Sequence, residues 1–152
     1  MTGLTIGIIG LVLCALFCGI GSGLGLKFTG KAAAGVMAED PTKFSKVIIL
    51  ALLPATQGIY GFVIAILGLQ YLPVAGVEPE LVAQGMNVLF ATLPMTIGGT
   101  VSAILQGQTA ASAIVGVGKK GEIASKALIF PAMIEFYALL GLVVSIMLLG
   151  AI

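Results

Sequence analysis

No histidine, arginine or tryptophan occurs among the 152 residues, and only 9% of the chain is charged. Without histidine there is no imidazole metal site and no histidine-based catalytic triad. A soluble domain of ordinary composition is about one-quarter charged. A chain that is 59% hydrophobic would expose more apolar surface than water tolerates, so the bilayer is its natural solvent. The net charge of +1 gives no electrostatic reason to expect nucleic acid. There are only two cysteines, Cys14 and Cys18, spaced i,i+4. On one helix that spacing makes a poor disulfide, and a lipid-anchor site lacks a basic leader. Both are read as small apolar packing residues.

What the chain does have is long uncharged runs. Residues 1–26, 47–77 and 81–118 carry no charged side chain, and from 127 onward the one charge is Glu135. A membrane span needs about 20 apolar residues. The runs predict an all-α membrane protein with helices at 4–27, 47–72, 84–117 and 127–150, the first and third continuing past the membrane surface. The N-terminal segment lacks a basic region ahead of its apolar run, since the first lysine is Lys27. It is therefore expected to be a retained helix rather than a signal peptide.

The seven lysines segregate completely. Lys27, Lys31, Lys43 and Lys46 surround the first connection, and Lys119, Lys120 and Lys126 the third. The middle connection holds Glu78 and Glu80 and no lysine. Short lysine-rich loops stay cytoplasmic. The expected location is the cell membrane, with both termini outside and the lysine-rich loops inside.

A shift of 80 residues lays the second half on the first. Ser45-Lys46 meets Ser125-Lys126, Gly61 meets Gly141, Gly19 meets Gly99 and Ser22 meets Ser102. The halves read as tandem parallel hairpins, 1–76 and 77–152. Glu135 falls opposite Ala55, so only the second hairpin holds a carboxylate. Glycine is also uneven: nine lie in the first helix and its flank to residue 35, six in the third, three in the second and two in the fourth. The run Gly19-x-Gly21-x-Gly23-x-Gly25 has no strand before it and is not a nucleotide loop. In a membrane helix it permits close backbone approach. Helices one and three are expected to pack tightly, with two and four outside them, and two layers suggest a ring of copies.

A charge at bilayer depth costs at least ~2.5–3.5 kcal/mol, so an intramembrane glutamate is read as functional. Measured from the nearest lysine at ~1.5 Å per residue, Glu135 lies roughly 14 Å deep, Gln57 roughly 16 Å and Gln106 roughly 20 Å. Thr56 and Tyr60 share a face with Gln57 on the second helix. A carboxylate, two amide carbonyls and a hydroxyl suit a hard cation stripped of water. The surplus of neutral oxygens favours Na⁺ over H⁺. The plain alternative for each glutamine is an interhelical hydrogen bond, worth about 0.6 kcal/mol. Pro54 and Pro131 precede these groups and are expected to loosen backbone carbonyls beside them. Pro94 is read as a kink in the third helix.

The stretches Leu53-Pro-Ala-Thr-Gln-Gly-Ile-Tyr60, Gln106-Gly107 and Ala132-Met-Ile-Glu135-Phe-Tyr-Ala-Leu-Leu-Gly141 carry a resemblance. Over nearly the whole chain the sequence resembles the K subunit, the four-helix rotor-ring proteolipid of bacterial and archaeal V-type (A-type) rotary ATPases. It looks closest to the sodium-translocating members. The resemblance implies a non-catalytic component of an ATP-driven ion-translocating complex, with Glu135 as the ion-carrying carboxylate. It implies Na⁺ ligation by Thr56, Gln57, Gln106 and the main-chain carbonyl of Leu53, and a Tyr60 hydrogen bond that locks the site. Phe136 departs from the pattern, standing where a smaller polar residue is expected in sodium members. Implied partners are further copies in a ring, a stator subunit supplying a basic residue, central-stalk subunits on the cytoplasmic loops, and no nucleic acid. Two rival readings are a proton-carrying rotor protein and a small proton-coupled exchanger.

Overall fold

Two long helices form the spine of the chain, because small residues let their backbones meet. A computed structural model describes all residues, Met1 to Ile152. It contains α1 (Gly3–Glu39), α2 (Pro41–Tyr71), α3 (Pro79–Lys119) and α4 (Gly121–Leu149), each long and apolar enough to cross a membrane. A Cβ added to Gly25 would lie 2.5 Å from the Ala103 carbonyl oxygen and 2.6 Å from Pro54 Cβ. One added to Gly21 would lie 2.7 Å from the Thr100 carbonyl oxygen. At these points α1 and α3 touch backbone to backbone, as membrane helices do where the residues are small. Helix α2 fits the angle between α1 and α3, and α4 packs on α3.

The helix ends follow local chemistry. Thr2 caps α1 by accepting from the Thr5 amide. Extended backbone at Asp40 stops that helix, and Pro41 opens α2 where its missing N–H costs nothing. Asp40 accepts from the Thr42 hydroxyl at 2.6 Å and pairs with Lys43 at 3.3 Å. These two partners hold the Asp40 carboxyl below its ordinary range. Lys43 also donates to the Gly118 carbonyl at 2.7 Å. That places a cation on the C-terminal end of α3, where the helix dipole favours it.

Helices α1 and α3, at 37 and 41 residues, continue past 4–27 and 84–117 as expected, α1 at its C-terminal end and α3 at both ends. At about 1.5 Å per residue both exceed the ~30 Å hydrocarbon layer, so their ends project from it. Lys27 and Lys31 are exposed on α1 and do not interrupt it.

Helices α2 and α4 are irregular at their prolines. Pro54 sits in a short 3₁₀ turn at Leu53–Ala55. Pro131 follows a break at Leu128, between the helical stretches Ala124–Ala127 and Ile129–Leu149. A proline ring clashes with the carbonyl four residues back and leaves it without its helical donor. Around Pro54, helix α1 adds side-chain partners to the α2 backbone. Thr29 of α1 donates to the Ala51 carbonyl at 2.7 Å, and Ser22 accepts from the Gly58 amide at 2.7 Å. Pro94 lies within an unbroken α3, where the next amide, Met95, donates to Ser145 of α4 at 3.0 Å.

The apolar interior is divided. One buried cluster holds Leu11, Cys14, Cys18, Ile64, Val88, Ala91, Met95 and Leu149. The other holds Ala33, Val36, Val47, Leu50, Ala51, Ile114, Val117 and Ala127. Both cysteines are free, and Cys18 donates weakly to the Met95 carbonyl, consistent with packing roles. Along every helix a gap separates the two clusters, and Gln57, Gln106 and Glu135 fall in the gaps of α2, α3 and α4.

Candidate ion-binding site

The polar slab assembles through one chain of hydrogen bonds. Gln57 Nε2 donates to Gln106 Oε1 at 2.7 Å. Gln106 Nε2 donates in turn to the Pro131 carbonyl at 3.1 Å and to Glu135 Oε2 at 3.3 Å. Tyr60 Oη donates to Glu135 Oε1 at 2.9 Å. Thr56 Oγ1 donates to the Leu53 carbonyl at 3.0 Å and lies 3.3 Å from Gln57 Oε1. Both glutamines are fully buried, and no buried side-chain nitrogen or oxygen lacks a partner.

All six residues singled out in the sequence therefore meet in one place. Leu53, Thr56, Gln57 and Tyr60 come from α2, Gln106 from α3 and Glu135 from α4. The amide of Gln57 is planar, so committing its nitrogen to Gln106 turns its oxygen toward Thr56. Each carboxylate oxygen of Glu135 takes one protein donor, whereas an ionised carboxylate offers about four acceptor positions. No protein cation compensates it: the single salt bridge is the distant Lys43–Asp40 pair. The arrangement is a half-buried carboxyl group among neutral partners, with acceptor capacity to spare.

Two contacts were not foreseen in the sequence. The Pro131 carbonyl is a partner of Gln106, and Ser22 of α1 steadies α2 at Gly58, next to Gln57. The proline four residues before Glu135 was the one available signal for the first. For the second, the serine inside the glycine run gave none. Phe136, the departure from the resembled pattern, points away from the site and is 64% exposed in the single chain.

A family model for the C subunit of ATP synthase matches residues 9–68 and again 89–148. The chain belongs to this family of ATP synthase C subunits. The two matched stretches are offset by 80 residues, the same shift that aligns the halves of the sequence. Among relatives, the V-type sodium ATPase subunit K of Enterococcus hirae is 44% identical over 146 residues, spanning 96% of this chain and 91% of that protein. The A-type ATP synthase subunit K of Methanocaldococcus jannaschii is 39% identical over 147 residues, spanning 96% of this chain but 62% of that protein. The resemblance read from the motifs is thereby borne out, as is the all-helical membrane fold. As a member of the family the chain is a non-catalytic, multi-pass membrane component of an ion-translocating ATPase, and the family works as oligomeric rotor rings.

Proposed function

We propose that this rotor protein carries Na⁺ across the membrane on Glu135 as a V-type ring turns under ATP hydrolysis. One observation carries the reading: Glu135 is surrounded by neutral partners only, in a slab where an unpaired charge is costly. A cation that arrives and departs would cancel that charge. Glu135 Oε2, Gln57 Oε1, Thr56 Oγ1, the Leu53 carbonyl and the second lone pair of Gln106 Oε1 are the ligands proposed. Tyr60 holds the carboxylate in place from the other side. The number of neutral oxygens favours Na⁺, since a proton would need only the carboxyl and one acceptor. The sodium ATPase named among the relatives agrees with this choice.

In this mechanism an occupied site is neutral and passes through lipid, while an empty Glu135 is charged and does not. Loading must therefore precede rotation. A basic residue on a stator subunit displaces the ion, and each charge moved through 100 mV involves about 2.3 kcal/mol. The repeating unit is the hairpin, 1–76 and 77–152, with α1 and α3 lining the ring and α2 and α4 outside. The lysine-rich connections face the cytoplasm and meet the central stalk; both termini lie outside. One carboxylate per four helices means few ions per turn, a gearing suited to pumping against a steep gradient.

Carbodiimide labelling tests the ion. The reagent attacks protonated Glu135, so Na⁺ at fixed pH is expected to slow modification of the wild-type ring. Labelling that stays unaltered up to high Na⁺ would leave the proton as the carried ion.

A further inference from the structure

Helix α1 gives the site no ligand, yet it touches both glutamine-bearing helices beside it. Gly25 faces the Ala103 carbonyl of α3 and the Pro54 ring of α2 at once, and Gly107, next to Gln106, faces the Gly25 backbone. A methyl at either glycine has no room, so α1 and α3 make a close-packed frame at this depth. The part of α2 that carries ligands is irregular by contrast. Leu53–Ala55 form a 3₁₀ turn, and Thr56 and Gln57 open the helix that follows. Hydrogen-bond geometry in such a turn is poorer than in an α-helix, so the segment is held less firmly by its own backbone.

Two side chains of α1 grip α2 on either side of that turn. Before it, Thr29 Oγ1 donates to the Ala51 carbonyl at 2.7 Å. After it, Ser22 Oγ accepts from the Gly58 amide at 2.7 Å, and that amide belongs to the peptide unit that leaves Gln57. Both hydroxyl-bearing residues are buried. The two contacts are seven residues apart on α1 and seven apart on α2, about two helical turns. Leu53, Thr56 and Gln57 all lie between them. The internal repeat keeps the hydroxyls but not the contacts. At the shift of 80 residues Ser22 matches Ser102, Thr29 matches Thr109, Ala51 matches Pro131 and Gly58 matches Ala138. Ser102 donates to the Gly99 carbonyl of its own helix at 3.2 Å. A Cβ at Gly58 would lie 3.1 Å from Ser22 Oγ, and Ala138 carries that carbon. The Pro131 carbonyl receives Gln106 Nε2 instead. The double grip thus belongs to the hairpin that supplies Leu53, Thr56 and Gln57.

We infer that Ser22 and Thr29 are positioning residues that set the ion selectivity of the site, although neither touches the ion. They hold the α2 oxygens at a fixed distance from Gln106 and Glu135. Selectivity between cations depends on cavity size, ligand number and how far the ligands can move. A gripped α2 does not close onto a smaller cation, and a released α2 does. A supporting shell of this kind matters most where the ligands sit on an irregular segment. The inference rests on the reading of Glu135 as the carrier of a metal cation, and it names the residues that make the ligand set prefer Na⁺ to Li⁺.

Protection of Glu135 from carbodiimide tests it, in native membranes with Na⁺ or Li⁺ at fixed pH and ionic strength. In Ser22→Ala, half-protection should need roughly tenfold more Na⁺, the lower end of the effect of losing an outer-shell partner. Li⁺ should shift by a smaller factor, so the preference for Na⁺ falls. Thr29→Val keeps the side-chain shape and should behave the same way. Thr29→Ser keeps the hydroxyl and should restore wild-type protection. Ser102→Ala, at the matching position of the other hairpin, should leave protection unchanged. Ring mass on native gels should equal that of the wild type throughout. Equal losses for Na⁺ and Li⁺, a Thr29→Ser variant as poor as Thr29→Val, or a Ser102→Ala effect as large as that of Ser22→Ala overturns the inference and leaves the carrier role intact. So does wild-type protection in both Ser22→Ala and Thr29→Val. Loss of the ring in both makes the hydroxyls structural and overturns it as well. A wild-type ring that neither ion protects overturns the metal-carrying reading and this inference with it.

Discussion

Under the proposed mechanism Glu135 and Tyr60 do separable work at the site. Replacing Glu135 with Gln keeps the volume and an acceptor for Tyr60 but removes the charge. Carbodiimide modification of that position and its sensitivity to Na⁺ should both vanish, while the protein still inserts and assembles. Loss of assembly in E135Q would make the carboxylate structural and sink the carrier role. Tyr60→Phe removes one hydrogen bond to a charged acceptor, an interaction worth about 1.5 kcal/mol at the lower end. Half-protection should then need roughly tenfold more Na⁺. The glutamate was legible in the sequence because it is the one charge in an apolar run, and the glutamines because their depths matched. The Pro131 carbonyl was not, since a main-chain group becomes a partner only when α3 is laid beside α4.

At the level of the helices, the glycines divide into those pressed against a neighbouring helix and those with open space around them. Gly25 lies where α1 meets both Ala103 and Pro54, so a methyl there has nowhere to go. Gly35 has open space around it near the end of α1. Gly25→Ala is expected to lower the thermal midpoint of the purified protein, by the roughly 1–3 kcal/mol typical of overpacking. Gly35→Ala should raise it slightly, because alanine is favoured over glycine in a helix by up to about 1 kcal/mol. Equal midpoints for the two variants would refute close contact at Gly25. Glycine counts pointed to α1 and α3 as the close pair. They did not say which glycine faces which helix, because lipid and packed interior are both apolar. A membrane helix therefore shows no polar stripe to mark its buried side, unlike a surface helix of a soluble protein. The prolines behind the irregularities at Leu53–Ala55 and Leu128 were legible as positions, but the contacts of Thr29 and Ser22 with the α2 backbone on either side of Pro54 were not.

For the whole molecule, the lysines set the expected orientation in the membrane. Both lysine-rich connections sit at the same end of the bundle, since Lys43 of the first reaches Gly118 beside the third. The middle connection carries Glu78 and Glu80 at the other end, with the termini. Lysine near a span end biases it toward the cytoplasm, whereas acidic residues contribute little. Two single cysteines separate the orientations. One at Glu122, in the third connection, is expected to react with a membrane-impermeant maleimide only in inverted vesicles. One at Glu78 is expected to react only from the outside of intact cells. The buried Cys14 and Cys18 give little background. The reverse pattern would place the lysines outside and detach them from any cytoplasmic stalk. Glu135 would keep its partners in either case, because the hydrogen bonds that hold it do not depend on which side of the membrane each end faces.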